Sequence, residues 1–255
     1  MAERPVYRPY ALLAFAAAVC VGTPLGIWLL ASHYAGARAV GLPWVVLHAH
    51  VQILGFFGTL IVGIAPHLLA RFTGRPLPSR GAPAGALLLA GALLLRVAGT
   101  GATAALPLLA AGGLEAAVFT AFTVRVWRTL DPPALARLRH HLTVASGWLA
   151  LATLGELAQR VLALVHGTAG PTPGALHELH ALALFGGVLG WVLGVLLRAG
   201  PMFVAGWAPS PAPSAALPWL LGIGALLAAG GEGGRGLVAR VSRADELGAL
   251  LQQLS

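Results

Sequence analysis

Long apolar runs alternate with short polar breaks rich in Gly and Pro along most of the chain. A helix that crosses the hydrocarbon core of a bilayer needs roughly 20 predominantly apolar residues. Six runs meet or approach that length, at 10–31, 44–70, 82–98, 104–127, 142–165 and 176–197. A seventh, 215–231, is shorter and weaker. Breaks such as Gly74-Arg75-Pro76-Leu77-Pro78 and Gly170-Pro171-Thr172-Pro173-Gly174 carry turn chemistry. The pattern predicts an all-α polytopic transmembrane bundle of about seven spans over residues 1–230, followed by a polar tail over 231–255. The first run is long, lacks a small-residue cleavage site and contains Thr23-Pro24, so it reads as a span rather than a cleavable signal peptide.

Composition narrows the class. Hydrophobic residues make up 58% and charged residues 9% of the 255 positions, against about 25% charged in an ordinary soluble domain. That difference excludes a soluble enzyme, a disordered tail and a nucleic-acid-binding domain. The net charge is +8, and all 16 basic residues are Arg. They fall between apolar runs, as in cytoplasmic loops, rather than on one polar face. Arg4 and Arg8 precede the first span; Arg71, Arg75 and Arg80 follow the second; Arg125, Arg128, Arg137 and Arg139 follow the fourth. The alternate breaks carry only Arg38 or no Arg. This bias predicts a multi-pass protein of a bacterial plasma membrane with a cytoplasmic N-terminus. The tail departs from it: Arg235, Arg240 and Arg243 would lie outside if 215–231 crossed. Either that run does not cross, or the C-terminus is not a natural end of the fold. The single cysteine, Cys20, lies in an apolar run, which leaves no disulfide framework or thiolate metal site.

Histidines inside the runs are the first candidates for chemistry. The second run contains His48-Ala-His50-Val-Gln-Ile-Leu-Gly55-Phe-Phe-Gly58 and the sixth His180-Ala-Leu-Ala-Leu-Phe-Gly-Gly187-Val-Leu-Gly190. At an offset of 132, His48 matches His180, Ala49 matches Ala181, Gly55 matches Gly187 and Gly58 matches Gly190. The match suggests two four-helix-type repeats, about 10–127 and 142–230, the second incomplete. On an unbroken α-helix, His48, Gln52, Gly55 and Thr59 share a stripe, whereas His50 joins Leu54, Phe57 and Ile61 on a stripe that suits lipid or core. His177, His180, Gly187 and Gly194 share a face of the sixth run. The expectation is therefore that His48 and His180 point inward at one depth and hold a metal ion, with His50 and His177 as alternative or supporting ligands. Glu178 is a further neighbour. His67 lies about 28 Å along the helix from His48 and cannot join that site. His33, His140, His141 and His166 read as interfacial, and Trp191 as packing.

Ionisable residues at membrane depth are costly and default to functional hypotheses. Glu115 lies mid-run, Arg96 lies near the outer end of the third run, and Glu156 and Arg160 are one turn apart in the fifth. The last two read as a mutually compensating i,i+4 pair. Arg96 reads as a functional cation, with Glu115 or Glu156 as a proton carrier, or as a side chain that pairs with these charges or snorkels to the interface.

The His48–Phe56 run, with Arg71-Phe-Thr-Gly74-Arg75-Pro76 after it, resembles the His-x-His segment of the NnrS family of haem- and copper-containing membrane proteins linked to nitric oxide stress. The run Leu176-His177-Glu-Leu-His180-Ala-Leu, with Gly187, Gly190 and Arg198, is similar to that family's second His-bearing helix. The likeness covers about Trp44 to Phe203 and extends more distantly to the haem-copper oxidase catalytic subunit. It implies haem and copper as cofactors, bound by His48 and His180 with His50, His177 and Arg96 near them. Nitric oxide or another small redox ligand is the implied partner, beside the lipid bilayer and a homo- or hetero-oligomeric assembly. A reduced oxidase-like redox subunit and a small-solute transporter are the competing expectations. The chain lacks a His-Pro-Glu-x-x-Tyr run, and His140-His141 follow a cytoplasmic loop, which counts against an oxidase-type copper site.

Overall fold

The computed structural model describes residues 7–36, 41–74, 82–168, 170–204 and 216–227. Six of the described helices are long and apolar enough to cross a membrane. They are α1 (Arg8–Tyr34), α2 (Leu42–Thr73), α3 (Ala82–Gly101), α4 (Ala105–Thr129), α5 (Ala136–Val165) and α6 (Gly174–Ala199). The protein is an all-α polytopic helical bundle, as the apolar pattern predicts. A shorter apolar helix, α7 (Ala216–Leu227), covers the expected seventh run. Its described part, 12 residues or about 18 Å, is shorter than the ~30 Å of the hydrocarbon core. The expected tail at 231–255, with Arg235, Arg240 and Arg243, lies outside the described residues, as do Arg4, Arg38, Arg75, Arg80 and Trp207.

Consecutive helices are antiparallel neighbours. A three-residue connection, Ala102 to Ala104, folds α4 back on α3: the Ala102 N–H donates to Ala98 and the Ala104 N–H to Gly99. At the end of α5, Gly167 takes a left-handed φ of 64°, and the Thr168 N–H closes the terminus onto the Ala163 carbonyl. Helix α4 packs along α3 and α5, and α5 along α6; α2 touches α1, α3, α4 and α6. Helices α2 and α6 run in the same direction and meet side by side.

Three spans contain π-helical turns: Ala17–Gly22 in α1, Val51–Gly58 in α2 and Leu182–Leu189 in α6. The wider turn in α1 is followed by Pro24, which has no N–H to return to the ladder. In α2 the Thr59 hydroxyl donates to the Leu54 carbonyl, five residues back. The π segments of α2 and α6 are equally long and begin 131 residues apart. The two His-bearing helices thus share a local distortion, in a register one residue off the 132 inferred from sequence.

Close packing rests on small residues, which let helices approach in a membrane. A Cβ on Gly187 would lie 2.5 Å from a Leu149 methyl, and one on Gly194 would lie 2.6 Å from His141 and Leu142. The glycine face of α6 therefore belongs to α5. The half of the bundle near the α2–α3 and α4–α5 connections is apolar, with Leu69, Val126, Leu130 and Leu142 each at most 1% exposed. Helix α7 docks there on α5 through Trp148, whose Nε1–H donates to the Pro218 carbonyl at 2.8 Å.

Candidate metal centre

The other half of the bundle holds a cluster of six ionisable side chains from five helices: His50 (α2), Arg96 (α3), Glu115 (α4), Glu156 and Arg160 (α5), and His180 (α6). Counted from the helix ends at the α1–α2, α3–α4 and α5–α6 connections, all six lie about 8 to 15 Å deep at 1.5 Å per residue. All but Arg160 are buried, and Arg96 is 2% exposed.

Arg96 joins two carboxylates. Its Nε–H donates to Glu115 Oε1 at 3.3 Å and a terminal N–H donates to Glu115 Oε2; the other terminal nitrogen donates to Glu156 Oε1. Arg160 adds the expected i,i+4 pair, donating to the same Glu156 Oε1 from Nε at 3.0 Å and from a terminal nitrogen at 2.6 Å. One oxygen of Glu156 is thus held by three N–H donors from two guanidiniums. The other, Oε2, lies 3.4 Å from His50 Nδ1. Two carboxylates against two guanidiniums leave the cluster neutral when both imidazoles are neutral.

His50 is oriented from the opposite side. Its Nε2–H donates to Glu115 Oε1 at 2.9 Å, because a carboxylate oxygen can only accept. In the neutral imidazole that tautomer leaves Nδ1 with a lone pair, aimed at His180 Nε2, 3.4 Å away. The two rings sit edge to face with centroids 5.5 Å apart. His50 Nδ1, Glu156 Oε2 and a His180 nitrogen form a three-donor group, the atoms all within 4.8 Å of one another. Among the described residues it is the only group of three or more His, Cys, Asp or Glu side chains so placed.

The structure brings His180 and His50 together rather than His180 and His48. His48 turns to α1: its Nδ1–H donates to the Gly22 carbonyl at 3.0 Å, and a Cβ on Gly26 would lie 2.7 Å from its Cε1. The expected His48–His180 pair is corrected accordingly. The stripe of His48, Gln52 and Gly55 does share one side of α2, but that side faces α1: a Cβ on Gly22 would lie 2.6 Å from the Gln52 side chain, and one on Gly55 would lie 3.7 Å from Ala17. The stripe read as lipid-facing or core-filling does place Leu54 in the core, yet it also places His50 there, while Phe57 is 41% exposed. Arg96 lies in the cluster, where it joins Glu115 to Glu156 rather than snorkelling. His177 is exposed, one turn before His180.

Three other polar residues are accounted for by packing. His141, read as interfacial, is buried and its Nε2–H donates to the Gly190 carbonyl at 2.9 Å. Trp191 is buried against Phe122 and donates to the Ser146 hydroxyl at 2.8 Å. His67 lies edge-on to Tyr7, at the far end of α2 from the cluster.

Glu115 and Glu156 were recognisable in the sequence as intramembrane charges, but not as partners of one Arg. The signal available was depth: counting each residue from its helix end at the α1–α2, α3–α4 or α5–α6 connection puts all six in one layer. The fold and the cluster define a polytopic helical membrane bundle with a buried, charge-compensated ionic centre. No family model matches the chain, and neither a curated protein nor a solved structure matches it.

Proposed function

We propose that the chain is a metal-binding multi-pass membrane protein whose ion sits between His50, Glu156 and His180, and that it serves a nitric oxide response of the NnrS type. The observation that carries the metal reading is the convergence of His50 Nδ1, Glu156 Oε2 and His180 Nε2. With metal–ligand bonds of about 2.0–2.1 Å, a tetrahedral ion separates its ligands by about 3.3 Å. The His50–Glu156 and His50–His180 separations are both 3.4 Å, close to that value, and the three donors lie within 4.8 Å of one another. The neighbours suit it as well: Glu115 fixes the His50 tautomer, the arrangement that commonly orients a ligating imidazole. The two guanidiniums occupy Glu156 Oε1 and leave Oε2 for the ion. Two imidazoles and a carboxylate are compatible with copper and with zinc.

A haem held axially between His50 and His180 does not fit. Glu156 Oε2 and His180 Nε2 both lie 3.4 Å from His50 Nδ1, so a carboxylate already occupies space beside that nitrogen that a macrocycle would need. The haem implied by the resemblance is therefore left out of the proposal, and copper is retained. The nitric oxide role rests on the residues of the resemblance alone. A cytoplasmic N-terminus is part of the same proposal, supported by Arg8, Arg71, Arg125, Arg128, Arg137 and Arg139 at one end of the bundle.

A buried ion network is a weak device for stability, since apolar side chains of similar volume hold a core as well or better. Its retention beside a His pair favours a functional centre. The test is elemental analysis of the purified protein after metal loading and exchange. One ion per chain is expected, lost in His50→Ala and in His180→Ala and kept in His48→Ala. A wild-type protein that stays metal-free overturns the proposal. Growth under nitric oxide, with the wild-type chain and with His50→Ala, tests the physiological part.

A further inference from the structure

We infer that a divalent ion enters the His50–Glu156–His180 site together with a small anion that takes its fourth coordination position, whereas monovalent copper enters alone. The inference rests on the metal-binding reading and follows from the charges around it. Arg96 and Arg160 cancel Glu115 and Glu156 before any ion arrives, through the contacts Arg96–Glu115, Arg96–Glu156 and Arg160–Glu156. The two imidazoles add no charge as ligands. A monovalent ion raises the buried layer to +1, but a divalent ion raises it to +2. Glu115 and Glu156 are each at most 5% exposed, so water does little to screen the excess, and uncompensated charge at that depth is strongly disfavoured. Among the described residues the site offers three donors and no fourth His, Cys, Asp or Glu. Four-coordinate ions with three protein ligands keep the remaining position for an exogenous ligand. An anion in that position meets both needs, lowering the charge and completing the coordination. Three of the five N–H donors of Arg96 are engaged with carboxylates, and its charge is cancelled by them, so the ion supplies the uncompensated charge that draws the anion.

The experiment uses the full chain in detergent, titrated with Co(II) and with Cu(I), with azide or with a bulky sulfonate as the added anion. Azide is expected to tighten Co(II) binding by about tenfold or more and to shift the visible cobalt bands, while Cu(I) affinity changes by less than about twofold. Arg160→Gln removes one positive charge at the rim of the cluster, and is expected to tighten Co(II) in sulfonate and to shrink the azide effect. Arg160 is the least buried of the six, and Arg96 still holds Glu156 Oε1 in this variant. Cobalt bound with the same affinity and the same bands under both anions overturns the inference and leaves the metal reading standing. Neither ion binding to the wild type overturns both.

Discussion

The two halves of the bundle solve the same packing problem by different means. Toward the α2–α3 and α4–α5 connections, Leu69, Val126, Leu130 and Leu142 fill the space between helices. The few polar groups there have local partners, as Ser146 has in Trp191 and His141 in Gly190. Toward the opposite connections, six ionisable groups from five helices occupy the equivalent positions. The apolar half shows that this bundle can be packed without charge. The charged half therefore carries a cost that packing does not require, and each of its members has an orientation that apolar substitution would erase. The lesson is that, among the described residues, the buried Arg and Glu side chains are confined to the layer where His50 and His180 meet.

Substitutions can break or sharpen this contrast. The largest effect is expected from Arg96→Leu, which leaves Glu115 with His50 alone and Glu156 with Arg160 alone. Breaking a buried pair by removing one partner costs about 3–5 kcal/mol, measurable by thermal or denaturant unfolding in detergent. A loss below about 1 kcal/mol would put the network on a par with an exposed ion pair. Next is Gly187→Val, on the glycine face that α6 turns to α5. The added side chain meets Leu149 at 2.5 Å, and overpacking of this kind costs about 1–3 kcal/mol. An unchanged melting temperature would show that α5 and α6 are not in close contact. Ser146→Ala takes the partner from the buried Trp191 indole and is expected to cost about 1 kcal/mol, with no change in metal content. The smallest effect is expected from His48→Ala, which loses one half-buried hydrogen bond to Gly22, about 0.5–1.5 kcal/mol. A loss of bound metal in that variant would return His48 to the centre.

The bundle was legible because six long apolar runs have few alternatives to spanning helices, and the breaks between them carry Gly, Pro and Arg. Its edges were less so. Helix α5 begins at Ala136 rather than 142, because Arg137, Arg139 and His140-His141 read as loop by polarity. In the structure Arg139 stacks on the Trp127 ring at 3.6 Å and His141 bonds to α6. The site was legible in part. His180 and the Glu156–Arg160 pair follow from sequence, because one turn of helix relates the latter two. The substitution of His50 for His48 does not, since a helical wheel groups His48 with Gln52 and Gly55 without saying that this side meets α1 rather than α6. Nor do the contacts of Arg96 with Glu115 and Glu156, separated by 19 and 60 residues, follow from any local spacing.

The three-residue link between α3 and α4 has a consequence for biosynthesis. An Arg in a lone inserting helix costs up to about 2.5–3.5 kcal/mol, the full figure applying at the helix centre, and a lone Glu adds a further burden. With only Ala102, Thr103 and Ala104 between them, the two helices can leave the translocon as one hairpin, with Arg96 and Glu115 already joined. Neither charge then has to meet lipid unaccompanied, and α5 brings Glu156 to a partner that is already in place.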